Sequence, residues 1–411
     1  MIVAMGDEID VVVVGAGQAG LSVSHELTRA GVEHVVLERD RVGASWHGRW
    51  DSFALVTPND FILLPGGEYR GDDPHGFLPR DEIVGHLEAY AVGFGAPVRT
   101  GVRVDSLDQA DDGRLLLTTA DGTITARAVV VSTGAYQRAH RPDPVASLPS
   151  WLPVLDAADY RNPGMLPDGD VLVIGSGQTG CQIAEELRLA GRGVTLVCGR
   201  APWCPRRLEG RDIVDWILET PFLEMSVADL PAPGARLVAN LQTTGVGGGH
   251  DLHYRTLAAL GVTLTGRLVG VDGDTAYFAD DLAASVAFGD ARYADVRALI
   301  VKARQAQGLP VPEMPDPAPF LPAAPDSVKL GGFGSAIVTA GYRPAYRDWI
   351  HRPDAFDSVG FPVHQDGAST VVPGLYFVGV HFLRKRKSAL LLGVGEDATL
   401  VAGQIAESSA A

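Results

Sequence analysis

Cysteine is scarce in this chain. There are three, Cys181, Cys198 and Cys204, and no two form a CxxC pair. That argues against a disulfide scaffold and against a dithiol reductase. Long apolar runs are missing as well, and none approaches the roughly 18 residues of a spanning helix. Residues 1–10 have neither a basic start nor a cleavage-like site, so they do not read as a signal peptide. The expected setting is cytoplasmic and reduced. Basic charge is the minority: 34 Lys and Arg stand against 50 Asp and Glu, a net charge of −16. Nucleic acid and anionic membrane are therefore poor partners, although a local basic pocket for phosphates remains open. No Cys or His cluster has metal-ligand spacing. His250 and His253 flank Asp251-Leu252 behind the glycines of residues 245–249, which reads as a mobile loop and not as a metal site.

Glycine, by contrast, is abundant and placed. An apolar run over residues 9–14 meets Gly15-Ala16-Gly17-Gln18-Ala19-Gly20, then a helix pattern to Ala30 stopped by Gly31. Gly15 permits the tight turn, Gly17 lets a pyrophosphate approach bare backbone, and Gly20 lets the helix pack close to the strand. The helix start offers free N–H groups and the positive end of its dipole. A second strand, residues 34–37, ends in Glu38, whose carboxylate suits the hydroxyls of an adenosine ribose; Arg39 follows. The plan recurs 160 residues later. The strand at 170–174 meets Gly175-Ser176-Gly177-Gln178-Thr179-Gly180, a helix to Ala190, and a strand at 194–197. The copy extends further: Glu38, Asp121-Gly122 and Thr133-Gly134 correspond to Arg200, Asp272-Gly273 and Ala340-Gly341. The fold class is α/β, with two Rossmann-like dinucleotide-binding domains, each a parallel sheet plus a β-meander. The expected boundaries are 1–160 with 331–411 for the first domain and 161–330 for the second. Two proline-rich stretches mark connections: 138–167 reads as the inter-domain linker, and 309–325 as a second crossing or a surface loop.

Two nucleotide domains call for a hydride donor and an acceptor. Glu38 suits FAD or NAD. The equivalent strand of the second unit ends in Val197-Cys198-Gly199-Arg200, with no carboxylate to repel a 2′-phosphate. Arg200, and behind it Arg206 and Arg207, can receive that phosphate. Charge-assisted bonds of roughly 1.5–3 kcal/mol each favour NADPH there. Around the first cofactor, Ser45, Trp46 and Trp50 should lie along it, the indoles covering a flat ring. Asn59, polar and non-titrating, is the candidate to hydrogen-bond the ring or a peroxide. Thr133-Gly134 and Gly379 are the strand ends that approach the cofactor, and the basic run 384–387 is a candidate for a substrate carboxylate or for phosphates. The segment from Gly210 to Leu218 reads as a helix start at the substrate entry.

These residues resemble the group B flavin monooxygenases: the two glycine loops, Ser45-Trp46 with Arg49-Trp50-Asp51, and Thr339-Ala340-Gly341-Tyr342. That superfamily includes the flavin-containing, YUCCA and Baeyer–Villiger monooxygenases, and the likeness is greatest to bacterial flavoproteins labelled as involved in potassium transport. The resemblance implies FAD in the first domain, NADPH in the second, and transfer of one oxygen atom from O2 to a small organic molecule through a flavin C4a-hydroperoxide. A homodimer is left open. One departure stands out: Asp156 occupies the position where the superfamily's fingerprint has histidine, although Tyr160-Arg161 matches its end. Two alternatives stay open, an NADPH-dependent flavin oxidase or reductase, and a slow redox-sensing flavoprotein.

Overall fold

A computed structural model of the protein describes residues 7–134 and 136–410; residues 1–6, part of the signal-peptide reading above, lie outside the described residues. The first unit runs β1 (Asp7–Val14), α1 (Gln18–Arg29), β2 (His34–Glu38), α2 (Arg80–Gly93) and β3 (Val98–Thr100), then a meander of β4 (Val104–Gln109), β5 (Leu115–Thr119) and β6 (Gly122–Val131). The second runs β7 (Val154–Asp156), β8 (Asp170–Ile174), α3 (Gln178–Leu189), β9 (Val194–Val197) and β10 (Thr263–Thr265). It continues through β11 (Leu268–Asp272), β12 (Thr275–Phe278), the helix α4 (Leu282–Ala306), β13 (Ser327–Lys329) and β14 (Phe333–Val338). β15 (Leu375–Phe377) and α5 (Val394–Ala410) follow.

The parallel sheets have the orders β15-β6-β1-β2-β3 and β7-β14-β8-β9-β10. Helices cover both faces of such a sheet, so its central strands read as unbroken apolar runs. Val11, Val12 and Val13 of β1 and Val171, Leu172 and Val173 of β8 are all fully buried. The α/β, twofold-repeated architecture therefore follows from the two glycine units.

The expected domain boundaries are corrected. β14 pairs with β8 from Ser335 to Val338, and β7 pairs with β14, so residues 154–156 and 333–338 belong to the second sheet. The duplication requires this: β14 is the counterpart of β6. The chain returns to the first sheet only after the crossing at Tyr342–Arg343, which pairs antiparallel with Arg138–Ala139 on the outward crossing. The two crossings thus form one ribbon. Residues 309–325 do not cross; they connect α4 to β13 within the second unit. The sequence reading also missed α4, whose buried positions Leu282, Val286, Gly289, Tyr293, Val296 and Ile300 recur at spacings of three and four.

Candidate functional site

The first glycine loop is an open cradle. Gly15 has φ +107°, and a Cβ there would stand 2.9 Å from the Ser132 carbonyl oxygen. A Cβ on Gly20 would stand 1.8 Å from the Gly15 oxygen, so only glycine lets α1 pack this close. At Gly17 a Cβ would meet nothing nearer than Ser45 Oγ at 3.9 Å. The free N–H end of α1 therefore faces room for a pyrophosphate. Glu38 is buried at the rim. Its Oε2 accepts from Ala16 N–H (2.8 Å) and its Oε1 from Asp40 N–H (2.9 Å), which aims the carboxylate at the loop with lone pairs to spare. Arg39 points outward beside Asp40. Ala19 abuts Gly379, where a Cβ would lie 2.4 Å from the Ala19 methyl, so the end of β15 is seated on the helix start. Gln18 organises the rest: its Nε2 donates to the Ala389 carbonyl (3.3 Å), and its Oε1 accepts from Trp46 Nε1 (2.9 Å). Trp46 thus stands beside the cradle. Thr133 is exposed, and the Gly134 oxygen accepts from the Tyr346 hydroxyl at 2.8 Å.

Two first-unit expectations change. Trp50 is only 3% exposed and packs edge-on against Phe53, so it is a core residue rather than a ring cover. Asn59 is equally buried, and both ends of its amide are used: Nδ2 donates to the Asp73 oxygen (2.9 Å) and Oδ1 accepts from Leu78 N–H (2.6 Å). This staples the 59–78 loop and commits the amide to structure on both ends.

The second loop has the same backbone, with Gly175 at φ +112° and a Cβ on Gly180 only 2.0 Å from the Gly175 oxygen. Gly175 also lies against Ala340 N and Thr339, while Gly341 takes φ +88°. Strand register makes Cys198, not Arg200, the counterpart of Glu38: Ile174 pairs with Val197 as Val14 pairs with Leu37. Ser176 Oγ accepts from Gly199 N–H (2.8 Å) and bonds the Tyr254 hydroxyl (2.5 Å), filling the place of the missing carboxylate. Thr179 lies in the first turn of α3. Arg200 is exposed and makes no ion pair among the described residues.

The other cations have partners. Arg206 is 2% exposed, ion-paired with Asp212, bonded to Val56 O and Thr243 Oγ1, and stacked on Phe77, because burying a guanidinium requires such partners. Arg207 donates to the Gly248 and Gly249 carbonyls. Arg206 is therefore withdrawn from a 2′-phosphate, whereas Arg207 is exposed and keeps N–H donors to spare. The basic run is also mostly neutralised. Arg384 holds Asp366 and Asp397, while Lys385 and Lys387 both hold Glu224 and Glu396. Arg386 lies between Phe222 and Phe382. Since Glu224 and Phe222 come from the second unit, the run is an inter-domain clamp. Asp156, at the histidine position, pairs with Arg141 at 2.8 Å. His253 Nδ1 caps the helix Tyr254–Ala259, accepting from Arg255 and Thr256 N–H. Asp212 caps Ile213–Leu218, as the helix reading there required. All three cysteines are free and buried, and burial pushes each thiol above its usual range. Among the described residues no helix is long and apolar enough to cross a membrane.

Residues 12–220 match the pyridine nucleotide-disulphide oxidoreductase family. An uncharacterized CzcO-like oxidoreductase of Geobacillus kaustophilus is 30% identical over 399 residues, 97% of this chain and 98% of that protein. The indole-3-pyruvate monooxygenase YUCCA1 of Oryza sativa subsp. japonica is 29% identical over 190 residues, 45% of this chain and 47% of that protein. A flavin-containing monooxygenase from Stenotrophomonas maltophilia shares the fold, with a TM-score of 0.69 at 21% identity, covering 98% of this chain and 100% of that one. The chain belongs to the pyridine nucleotide-disulphide oxidoreductase family. It is a flavin-dependent oxidoreductase whose cofactors are FAD and NADPH.

Proposed function

We propose that the protein is a monooxygenase that oxidises NADPH, places one oxygen atom of O2 in a small organic substrate and releases the other as water. The observation that carries this reading is two dinucleotide cradles in one chain whose three thiols are all buried and protonated. Electrons reaching the flavin have no dithiol to leave by, so oxygen is the economical acceptor. Open space at Gly17 and the Glu38 carboxylate support FAD in the first unit. The uncharged Cys198 position and the free Arg200 support NADPH in the second.

The bound flavin supplies hydride acceptance and oxygen activation. The chain's own residues do the rest. Glu38 takes ribose hydroxyls with its remaining lone pairs, and the α1 N–H groups hold the pyrophosphate. Gln18 fixes Trp46 on one side and the 384–392 segment on the other, confining the ring. The Glu224 pairs with Lys385 and Lys387 tie the 384–387 run to the second unit at a solvent-exposed seam. A second reading, an NADPH-dependent flavin oxidase, is favoured by Asp156 and its bond to Arg141. Stoichiometry separates the two. FAD-loaded protein is given NADPH and 18O2 with a panel of amines, sulfides and ketones. One labelled oxygen in product per NADPH, with little hydrogen peroxide, supports oxygen insertion. One peroxide per NADPH with every compound rejects it in favour of the oxidase.

A further inference from the structure

The two cradles differ in cover. The middle glycine of such a loop is bare so that the pyrophosphate can lie against it. A Cβ on Gly177 would stand 3.3 Å from the Ala239 methyl, so that methyl occupies the space the phosphates need. Ala239 belongs to a strap, residues 237–244, held down by three glutamine amides. Gln178 Nε2 donates to the Leu241 oxygen (2.9 Å), Gln182 Nε2 to the Thr243 oxygen (2.9 Å), and Gln242 Nε2 to the Ser176 oxygen (2.7 Å). Gln242 is wholly buried, yet its Oε1 has no partner. The closed latch therefore carries an unsatisfied acceptor that opening would relieve. The ends of the strap suit movement. Pro231 and Pro233 precede it, and Gly247, Gly248 and Gly249 follow it with φ of +61°, +83° and +79°.

We propose that residues 237–244 are a gate on the NADPH site. The dinucleotide binds only the state in which Ala239 has left Gly177, so its apparent affinity is its intrinsic affinity scaled by the open fraction. FAD, on an uncovered cradle, stays resident while the nicotinamide nucleotide exchanges. This rests on the assignment of NADPH to the second unit.

Hydrogen exchange on the FAD-loaded protein tests it, with NADP+ as the probe. Bound NADP+ should speed exchange in residues 237–244 and leave residues 15–20 unchanged. Protection of the strap, or no change with NADP+ bound, would overturn the gate while leaving the nucleotide assignment intact. Gln182→Ala and Gln182→Leu each remove one latch bond. Either should tighten the apparent Kd for NADP+ about twofold to tenfold with FAD content unchanged. Equal or weaker binding counts against the gate, and if a variant does not fold the exchange result on the unaltered chain decides. If NADP+ binds neither the parent nor the variants, the second-unit assignment falls and the gate with it.

Discussion

Two loops with the same spelling, Gly15 to Gly20 and Gly175 to Gly180, have nearly the same backbone and different surroundings. The first glycines have φ of +107° and +112°, and the third glycines approach the first within 1.8 and 2.0 Å of where a Cβ would sit. A hydroxyl buttresses each from the next strand: Ser132 Oγ donates to Val14 O at 2.7 Å, and Thr339 Oγ1 donates to Gly175 O at 2.6 Å. The glycine pattern thus sets the shape of the cradle. What the cradle receives is set by residues arriving from elsewhere: Glu38 against Cys198, open space against Ala239, and Trp46 against the glutamine-tied strap. Duplicated architecture can serve two different nucleotides because the discriminating groups lie outside the duplicated motif.

The comparison breaks first at its shared part. Gly20→Ala and Gly180→Ala each drive a methyl into backbone, and both should cost about 3 kcal/mol or more and yield little soluble protein. Gly17→Ala is different. Its methyl meets no protein atom closely, so the chain should fold with a nearly unchanged melting temperature. It should nevertheless lose about 2 kcal/mol, roughly thirtyfold, in FAD affinity. Flavin absorbance against protein concentration checks this, and a fully yellow Gly17→Ala protein would remove FAD from the first cradle.

A histidine in each unit, His253 buried and His381 half-buried, offers the next test. Burial holds His253 down to about 4 against the opposing pulls of Asp251 and Asp290, with Arg255 adding to the depression. Burial, then Arg386 and Arg236, holds His381 down to about 4. Both rings are neutral in the folded protein, whereas an unfolded histidine protonates near 6.5. Their contributions are complete above about pH 6.5 and fall as pH drops toward 4, at about 1.4 kcal/mol per pH unit for each ring. His253 Nδ1 must be unprotonated to accept from Arg255 and Thr256 N–H. His253→Asn should keep the cap and remove one ring's share of the acid slope, read from denaturant unfolding at pH 7 and pH 4.5. An unchanged slope would show that the cap does not titrate in this range.

The sequence made the sheets, the glycine loops and Glu38 legible because those signals are local: an apolar run, a turn, a helix start. It exposed the repeat but placed its last strand in the wrong unit, since one strand does not announce its partner. The fates of Asn59, Trp50, Arg206 and the 384–387 run were hidden for the same reason. Each is decided by a partner far along the chain, such as Asp212 and Val56 for Arg206, or Glu224 for Lys385 and Lys387. An arginine intended for phosphate and one buried in an ion pair look alike until the fold brings the carboxylate. The strap was hidden too, because Ala239 is an ordinary residue with an unusual neighbour.

Of the three arginines proposed for the second cradle, Arg200 is exposed without an ion pair, Arg207 is exposed on two loop carbonyls and Arg206 is buried on Asp212. Arg200→Ala should raise the KM for NADPH about tenfold to a hundredfold, the worth of one charge-assisted bond or slightly more, and leave that for NADH unchanged. Arg207→Ala, which releases only two loop carbonyls, should leave the NADPH to NADH ratio within about twofold. A reversed ranking would return the phosphate to Arg207.

The smallest effect is expected where the two units meet. Burial tends to raise the Glu224 carboxyl, but hydrogen bonds from Lys385 and Lys387 outweigh it and hold it below the usual range. Its share of stability is therefore present above about pH 4.5 and lost as the pH falls below it. Glu224→Gln leaves both lysines with Glu396 alone, yet backbone bonds from Arg386 N–H to Met225 O (2.7 Å) and from Lys387 N–H to Leu223 O (3.3 Å) still join the units. The loss should be no more than about 1 kcal/mol, a fall of a few degrees in Tm. Added salt should shrink it, because screening weakens the parent's pairs and leaves the variant's backbone bonds untouched. A large, salt-independent fall would mean that the clamp, not the backbone seam, holds the two cradles in register.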